Sequence, residues 1–510
     1  MTDSIPDTLL LQLSECLSAQ TGLHFPSARW PDLQRGISSA AREFEFPDAG
    51  SCMHWLLSSP LTRPQIEILA SHLTVGETYF FRHKQCFDLL RERILPELIR
   101  SRRGAGQRLR IWSAGCCTGE EPYSVAVLLH QMLFDWKEWN IAILGTDINP
   151  HYLRRATEGV YKEWSFRATD LSIKERYFTR QGNHCFEILS GPKEMVTFSY
   201  LNLAQDTYPS LWNGTNAMDV ILCRNVLMYF APGQAKEVVR GLYRCLVDGG
   251  WLIVSPSETS HVLFSEFATV NLPGITLYRK ESRGTPDAVP SLLASPSFLF
   301  PAPEVEFSLD GNGTGAETCP DSPVRAAPSP PLEEMSAPPA SQQNPPQEAL
   351  RFYQQGRYAE AVEVLVVWLS QDPDDTQAMM LLARAYANQG RLVQALEWCN
   401  GVITADKLNP GCHYLLATIL QEQGRLPEAV ASLKRALYLD QDFTLAHFAL
   451  GNLRQRQGRS RESRRHFENA LRALSRCSQE ETVPESEGIT AGRLTEIIQS
   501  ASCLGTRLGG

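Results

Sequence analysis

The chain has 510 residues, of which 43% are hydrophobic and 21% charged, and its formal net charge at pH 7 is −9. This length suggests about three domains with sizeable cores, and the acidic balance gives no support for a nucleic-acid partner. The 13 cysteines are scattered without a C-x-x-C motif, which indicates reduced thiols in a cytoplasmic protein, while the N-terminus is not a signal peptide and no apolar run is long enough for direct membrane insertion.

Residues 1–75 predict an all-helical module. Apolar residues recur at helical spacing over 6–20, where Gly22 is a plausible stop, and again over 32–46 and 52–57. The sequence TVGETYFFR follows at 74–82 and leads into the next domain.

The most informative stretch is LRIWSAGCCTGEEPY at 109–123. A short apolar run, typical of a buried parallel strand, breaks at Gly115, and helical spacing follows. The spacing of Gly115 and Gly119 fits neither the dinucleotide fingerprint nor the P-loop, and Glu120 and Glu121 stand where a phosphate binder would avoid negative charge. The turn therefore predicts a cationic or zwitterionic ligand, although a tight turn of any doubly wound domain is the plainer interpretation.

A second apolar strand at 141–147 ends in Asp147. An acid in this position suits the hydroxyl groups of a ribose. Together with the acidic first turn, it indicates a nucleoside with a cationic, amino-acid-like arm, and S-adenosylmethionine fits that description. The adjacent Cys116 and Cys117 are interpreted as small fillers of the turn rather than as a redox pair.

Residues 76–280 predict a doubly wound α/β domain. Further strands are predicted at 196–200, 218–223 and 251–256, with a closing edge element at 272–279. A helix over 234–247 is predicted to end at the Asp-Gly-Gly sequence of 248–250. The segment 161–195 is extra to this fold, and its second half, 184–197, predicts a small antiparallel sheet around the Ser-Gly-Pro sequence at 190–192.

Residues 281–341 are rich in proline, serine and alanine and predict a flexible or partly extended linker. The last third of the chain repeats itself. Gly-Arg pairs recur every 34 residues, beginning at Gly356, Gly390, Gly424 and Gly458. Two sets of small residues keep the same spacing: Ala349, Ala383, Ala417 and Gly451, and Ala361, Ala395, Ala429 and Ser463.

A period of about 34 residues with small residues where two helices cross is typical of tetratricopeptide repeats. Four repeats are predicted over 342–475, and the tail, 476–510, has a possible capping helix at 491–504. Because repeats build their own core by stacking, neither the repeats nor the catalytic part is expected to need the other to fold.

Four motifs in order resemble the CheR-type chemotaxis receptor methyltransferases: the segment 74–82, WSAGCCTGEEPYS at 112–124, TDINP at 146–150 and ILCRNVLMYF at 221–230. The resemblance covers residues 5–280, and with its repeats the chain resembles the Wsp-like members. It implies a multidomain protein with an N-terminal all-α module, an α/β doubly wound S-adenosylmethionine-dependent methyltransferase domain with a β-subdomain at 160–196, and a C-terminal α-solenoid.

The resemblance also implies a site. The cofactor-binding residues would be Gly76, Thr78, Arg82, Gly115, Glu121, Asp147, Asn202, Leu203, Arg224 and Asn225. Arg82 and Tyr229 would be catalytic, and no metal is expected. Glu121 would meet the ammonium group and Asp147 the ribose. Asparagine is frequent in the family where this chain has Gly76, so that contact is lost here or made by backbone.

The implied reaction transfers a methyl group from S-adenosylmethionine to glutamate carboxylates of a chemoreceptor-like protein. A glutamate with a pKa of about 4.3 is already ionised at neutral pH, so no general base is needed. Two alternatives stay open: a methyltransferase for another carboxylate acceptor, and a non-catalytic adaptor acting through the repeats. The extra segment at 161–195 argues against a small acceptor, and the retained site residues argue against an adaptor.

The partner expected for the catalytic part is the cytoplasmic domain of a methyl-accepting chemoreceptor. Arg29, Arg35 and Arg42 are candidates for docking on it. Some family members carry a three-residue, glycine-containing insertion in the β-subdomain and bind a receptor's C-terminal pentapeptide, and the region 177–198 looks three residues too short for that. The repeats would bind a further protein or peptide through polar residues of their first helices: Arg384, Asn388, Gln421, Asn452 and Gln455.

Overall fold

The computed structural model describes residues 5–104, 106–182, 184–272, 274–281 and 345–506. The predicted linker lies outside these residues except for its first position. Among the described helices, none is long and apolar enough to cross a bilayer.

The N-terminal module is all-helical, as predicted. Its helices are α1 (Asp7–Thr21), α2 (Trp30–Glu43), α3 (Ala49–Leu56) and α4 (Arg63–Leu73). Gly22 ends α1 with a left-handed φ of 80°. A Cβ there would lie 2.2 Å from the Phe230 ring, so glycine lets the module pack closely on the catalytic domain.

The catalytic domain alternates helices and strands. Its helices are α5 (Lys84–Leu89), α6 (Leu95–Arg102), α7 (Glu120–Met132), α8 (Pro150–Glu158), α9 (Leu171–Tyr177), α10 (Ser190–Glu194) and α11 (Pro232–Cys245). Its strands are β1 (Arg108–Ala114), β2 (Asn140–Asp147), β3 (Val160–Lys162), β4 (Phe178–Gln181), β5 (Cys185–Ile188), β6 (Val196–Tyr200), β7 (Met218–Leu222), β8 (Leu246–Ile253), β9 (Ala268–Leu272) and β10 (Ile275–Arg279).

Seven strands form the main sheet in the order β6-β2-β1-β7-β8-β10-β9. The first five are parallel, and β10 and β9 are antiparallel. The doubly wound fold is thus confirmed. The order reverses at β1, whose seven residues are all buried, and the carboxyl ends of the strands on either side of such a reversal form the usual ligand crevice.

Two local predictions were wrong. The closing edge element is a hairpin, in which β10 inserts between β8 and the edge strand β9. The glycines at 249 and 250 do not end a helix, because α11 stops at Cys245 and they lie inside β8. There the pairing with β7 shifts register. Gly249 has a left-handed φ of 78°, and a Cβ at Gly250 would lie 2.8 Å from the Val247 carbonyl oxygen, which explains why a glycine pair stands in a strand.

The predicted β-subdomain is a three-stranded antiparallel sheet in the order β3-β5-β4. Its turn was placed wrongly, because β4 pairs with β5 across 182–184, and residues 190–194 form the short helix α10. The aromatic rings of Phe80, Tyr161, Phe166 and Phe178 pack together beneath this sheet, with centroids 4.8–5.0 Å from that of Phe80. The cluster fastens the segment 74–82 to the subdomain.

The repeats are confirmed as four helix pairs: α12 (Pro345–Gln354) with α13 (Tyr358–Gln371), α14 (Thr376–Asn388) with α15 (Leu392–Ala405), α16 (Pro410–Glu422) with α17 (Leu426–Leu439), and α18 (Thr444–Arg456) with α19 (Ser460–Leu474). The four repeat glycines all have φ between 71° and 75° at the turn within each pair. Helix α20 (Ala491–Thr506) covers the last pair, with Leu494 and Ile498 in its core.

Contrary to the expectation from the linker, the repeats pack against the catalytic domain, and the described residues up to 281 and from 345 to 506 belong to one compact unit. Glu422 of α16 pairs with Arg108 and Arg110 of β1, at 2.7 and 2.9 Å. Leu211 and Trp212 of the loop before β7 pack against the cores of the repeats. No sequence pattern indicated this contact, because its partners are about three hundred residues apart.

Candidate functional site

One cavity lies at the carboxyl ends of β1, β2, β6 and β7, roofed by the helical module and the segment 74–82. Ten of the eleven predicted site residues line it: Thr78, Arg82, Gly115, Glu121, Asp147, Asn202, Leu203, Arg224, Asn225 and Tyr229. They come from five separate stretches of the chain. Their convergence on the crevice beside the strand-order reversal is the arrangement expected for a ligand site in an open α/β sheet.

The glycine turn approaches the cavity with its backbone. Gly115 has a φ of 76°, and a Cβ there would lie 2.4 Å from Cγ2 of Val226, so only glycine fits. Cys117 is also left-handed, with a φ of 50°, and this turns its N–H toward Asp147. Burial raises the pKa of the neighbouring Cys116 thiol well above its usual range, which agrees with a filler rather than a reactive thiol.

Asp147 ends β2 and is fixed by backbone. Its Oδ2 accepts the Cys117 N–H and its Oδ1 accepts the Asn149 N–H, both at 2.8 Å. Burial raises the pKa of Asp147 to about 6, although these backbone hydrogen bonds act in the opposite direction. At neutral pH the carboxylate is therefore ionised, oriented and poorly solvated, which suits it to accept hydrogen bonds from hydroxyl groups.

Glu121 and Arg224 form a buried pair beside the turn. Glu121 accepts from Ser113 Oγ at 2.7 Å and from Arg224 Nη1 at 2.9 Å, and the side chain of Arg224 is only 2% exposed. Nη2 of Arg224 donates to the Arg82 carbonyl and lies 2.9 Å from Nδ1 of His83. Arg224 thus joins the first turn of α7 to the backbone of the segment 74–82, in addition to lining the cavity.

Arg82 lies between two left-handed residues, Phe81 and His83, with φ of 57° and 62°. Its Nη1 donates to the Glu77 carbonyl at 2.7 Å. Non-glycine residues with this backbone are uncommon and cluster where surrounding structure enforces them, as at active sites. The strained pair turns the Arg82 side chain toward the cavity.

Tyr229 lines the cavity and packs directly against the helical module. Its carbonyl accepts the His24 N–H at 2.8 Å, and its ring lies 5.7 Å from the Arg29 guanidinium carbon. Burial raises the pKa of Tyr229, so the phenol stays protonated and can donate a hydrogen bond at neutral pH. Arg29, a predicted docking residue, thus lies close to the site, while Arg35 and Arg42 are exposed on α2.

Gly76 is the predicted residue that does not line the cavity. A Cβ at Gly76 would lie 2.4 Å from the Tyr152 hydroxyl and 2.6 Å from its Cζ. The Tyr152 hydroxyl donates to the Thr74 carbonyl at 3.2 Å, and this tyrosine does line the cavity. Tyr152 therefore fills the space that a side chain at 76 would need, a compensation that no local pattern predicts.

Asn202 is buried and its side chain is already engaged. Its Nδ2 donates to the Gln20 carbonyl at 2.7 Å, and its Oδ1 accepts the Ala204 N–H at 3.0 Å. The backbone N–H of Asn202 donates to Asp206 Oδ2 at 2.6 Å. Asn202 thus borders the cavity while it ties the helical module to the loop after β6.

Glu258, which was not among the predicted residues, shapes the opposite wall. This carboxylate is 7% exposed and accepts the N–H groups of Asn225 and Val226, each at 2.7 Å. It also closes a capping box with Ser255. The Ser-x-x-Glu pattern at 255–258 was the available signal.

The donor set of this cavity fits S-adenosylmethionine. Asp147 offers a fixed carboxylate for hydroxyl groups, Glu121 a second carboxylate for a cation, and the Arg82 guanidinium a partner for a carboxylate. Leu201, Leu203 and Phe230 supply apolar walls for a base. A polyphosphate would be repelled by the carboxylates of Glu121 and Asp147, which agrees with the sequence-based prediction that the ligand is not a polyphosphate.

Known proteins match both halves of the chain. The family described as CheR methyltransferase, SAM binding domain, matches residues 76–273, and tetratricopeptide repeat families match 347–411 and 417–458. A probable chemotaxis protein methyltransferase of Rhizobium etli is 32% identical over 45% of this chain and 84% of its own length. Chemotaxis protein methyltransferase 2 of Vibrio cholerae is 30% identical over 44% of this chain and 76% of its own.

A third relative resembles the chain over a longer stretch. The probable biofilm formation methyltransferase WspC of Pseudomonas aeruginosa is 28% identical over 278 residues, which are 54% of this chain and 63% of that protein. The resemblance to the family inferred from four motifs is thereby confirmed at the level of whole domains.

Proposed function

This chain belongs to the CheR family of chemotaxis protein methyltransferases, and from that premise we propose how its residues transfer methyl groups to glutamate side chains of a methyl-accepting chemoreceptor. The enzyme is a protein-glutamate O-methyltransferase that uses S-adenosylmethionine. The observation that carries the assignment of residues is the convergence of ten predicted residues on one cavity.

Bound S-adenosylmethionine supplies an electrophilic methyl group on a sulfonium. Glu121 and Asp147 hold its ammonium and ribose groups, and Leu203 borders the adenine. Arg82 orients the incoming glutamate carboxylate, which is ionised at neutral pH, so no residue has to remove a proton. Alignment and exclusion of water are the main tasks, and such positioning contributes roughly 7–11 kcal/mol.

Tyr229 has a role that depends on its protonated hydroxyl. Beside the transferred methyl group, this donor would help to hold the acceptor carboxylate in place. Its backbone hydrogen bond to His24 also keeps the helical module closed over the cavity. The module thereby takes part in excluding water.

The acceptor docks on the open side, between the helical module and the β-subdomain, in the cytoplasm. Arg35 and Arg42 contribute positive charge from α2. Gln181 of β4 pairs with Cys185 of β5. The region 177–198 is three residues shorter than in the members that carry the glycine-containing insertion. Methylation is therefore independent of a receptor pentapeptide, and deletion of the receptor's C-terminal tail is expected to leave the rate unchanged; loss of methylation on tail deletion would overturn this.

Five segments divide these tasks. Residues 1–75 and 76–280 form the catalytic part, 281–341 the linker, 342–475 the repeats and 476–510 the tail. The repeats hold a further protein or peptide.

The test is incubation with methyl-labelled S-adenosylmethionine and receptor cytoplasmic fragments. Base-labile label on a fragment is expected, because glutamate methyl esters hydrolyse readily in base. A fragment whose candidate glutamates are replaced by alanine is the matched control. Label on that control, or none on any fragment while the cofactor still binds, would reject the proposed acceptor.

A further inference from the structure

The terminal helix α20 contacts the loop that borders the cofactor cavity. Nε and Nη2 of Arg493 both reach Oδ1 of Asp206, at 2.9 and 2.5 Å. The other oxygen of Asp206 accepts the backbone N–H of Asn202 at 2.6 Å. A single carboxylate thus joins a helix of the repeat region to the first turn of the cavity loop.

The link is sheltered from water. The side chain of Asp206 is 11% exposed and that of Arg493 is 25% exposed. The guanidinium of Arg493 also lies 5.3 Å from the centroid of Tyr200, the last residue of β6, and Arg63 of the helical module lies 4.1 Å from the same ring. All three parts of the described chain therefore meet at the start of this loop.

Helix α20 is itself held firmly. Ala491 and Leu494 are buried in the core of the last repeat, so the repeat stack holds the helix that carries Arg493. In the other direction, Leu201, Asn202 and Leu203 line the cavity directly. Asp206 therefore connects the repeat stack to the cavity wall through contiguous hydrogen bonds.

We propose that Arg493 is a positioning residue for the cofactor site, holding the loop 201–206 through Asp206 so that the repeat array sets the affinity for S-adenosylmethionine. The proposal rests on the proposed function only in taking this cavity as the cofactor site. Networks of this kind change binding by about 2- to 30-fold when one member is altered.

The experiment uses the full chain and four variants: Arg493→Ala, Arg493→Lys, Asp206→Asn, and Arg476→Ala as the matched control. Arg476 pairs with Asp442 at the end of the repeats, an exposed contact within that region. S-adenosylhomocysteine binding is measured by calorimetry, and amide hydrogen exchange of residues 200–208 is followed without cofactor.

For Arg493→Ala we expect weaker binding by about 2- to 30-fold, a raised KM with kcat little changed, and faster exchange in the loop. Arg493→Lys, which keeps the charge, should recover part of the affinity, and Asp206→Asn should resemble the alanine variant. Should Arg493→Ala fail to fold, the binding and exchange of Asp206→Asn and Arg493→Lys test the proposal instead.

Two negative outcomes are distinguishable. Unchanged binding and exchange in Arg493→Ala and Asp206→Asn, with normal binding by the unaltered chain, overturn the positioning role alone. Failure of the unaltered chain to bind, or unchanged binding after Asp147→Ala, would instead reject the cofactor site itself.

Discussion

Replacing Glu422 by alanine should uncouple the repeats from the catalytic domain. The side chains of Glu422, Arg108 and Arg110 are 6%, 8% and 10% exposed, so the ion triad is almost fully withdrawn from water. The substitution leaves two guanidinium groups buried without their carboxylate. Removing one partner of a buried ion pair costs about 3–5 kcal/mol, because the remaining charge is uncompensated.

The electrostatics of Arg108 support the direction of this effect. Burial lowers the pKa of Arg108 to about 10, and the attraction of Glu422 is the largest opposing effect. Some contacts survive the change, because Arg110 also donates to the Gly214 carbonyl and Asn140 donates to the backbone carbonyl of Glu422. The chain can expose the buried guanidinium groups to water by separating the repeats from the catalytic domain. The free energy of that separation therefore sets the upper limit of the destabilisation.

The assay is urea unfolding of the full chain, with hydrogen exchange of peptides that cover 106–112 and 138–144. We expect a lower first transition and faster exchange at the starts of β1 and β2. Glu428→Ala is the matched control, because it breaks an exposed pair with Arg425 in the same repeat and should leave both signals unchanged.

A triple variant tests the physical reason. Replacing Arg108 and Arg110 by methionine together with Glu422→Leu removes these three charges and should recover part of the lost stability, since a well-packed apolar replacement of a buried ion cluster is often neutral. The recovery is partial because the buried carboxylate of Asp219 then keeps only Arg102 as its ionic partner. Two results would refute the reasoning from buried charge. One is that Glu422→Ala unfolds like Glu428→Ala, and the other is that the triple variant is as unstable as Glu422→Ala.

Four further predictions concern the site. S-adenosylmethionine affinity should fall as the pH drops from 7 through about 6, because protonation of Asp147 removes its charge; Asp147→Asn should abolish this dependence and weaken binding by about 1.5–3 kcal/mol in a calorimetric titration. Tyr229→Phe should lower kcat by about 2- to 10-fold while cofactor binding stays the same; an unchanged kcat would leave the tyrosine a packing role. Gly76→Asn should reduce activity alone and regain it with Tyr152→Ala, and additive losses would argue against their contact. The fragment 1–281 should bind cofactor more weakly than the full chain, because it lacks Arg493. Equal affinity would show that the catalytic part is independent of the repeats, as the sequence predicts.

The parts of the site that depend on local motifs could be predicted from the sequence. Gly115, Asp147 and Arg224 each lie at the carboxyl end of a strand, and parallel strands bring these ends together, so the convergence of the three residues could be expected once the fold was assigned. Arg493 and Tyr152 could not be found in this way. Their roles depend on tertiary contacts with Asp206 and Gly76, and neither lies in a recognisable pattern.

The repeat register illustrates what periodicity can and cannot predict. It predicted which small residues lie at helix crossings, and Ala383, Ala417 and Gly451 are all buried there. It did not explain why the last of these is glycine. A Cβ at Gly451 would lie 2.4 Å from the Phe467 ring, whereas the position of Phe467 is held by leucine or cysteine in the other three repeats.

Three of the five polar residues predicted to bind a peptide, Arg384, Asn388 and Gln455, have partners within this chain. Arg384 pairs with Glu485, and Asn388 donates to the Tyr353 hydroxyl, which in turn donates to Glu487. Glu487 also accepts from the Leu211 N–H of the catalytic domain at 3.1 Å. A ligand that uses these residues must displace the segment that precedes α20, and thereby disturb the support of the cofactor loop. Because coupling between two binding equilibria is reciprocal, a cofactor that stabilises the loop must weaken such a ligand by the same factor.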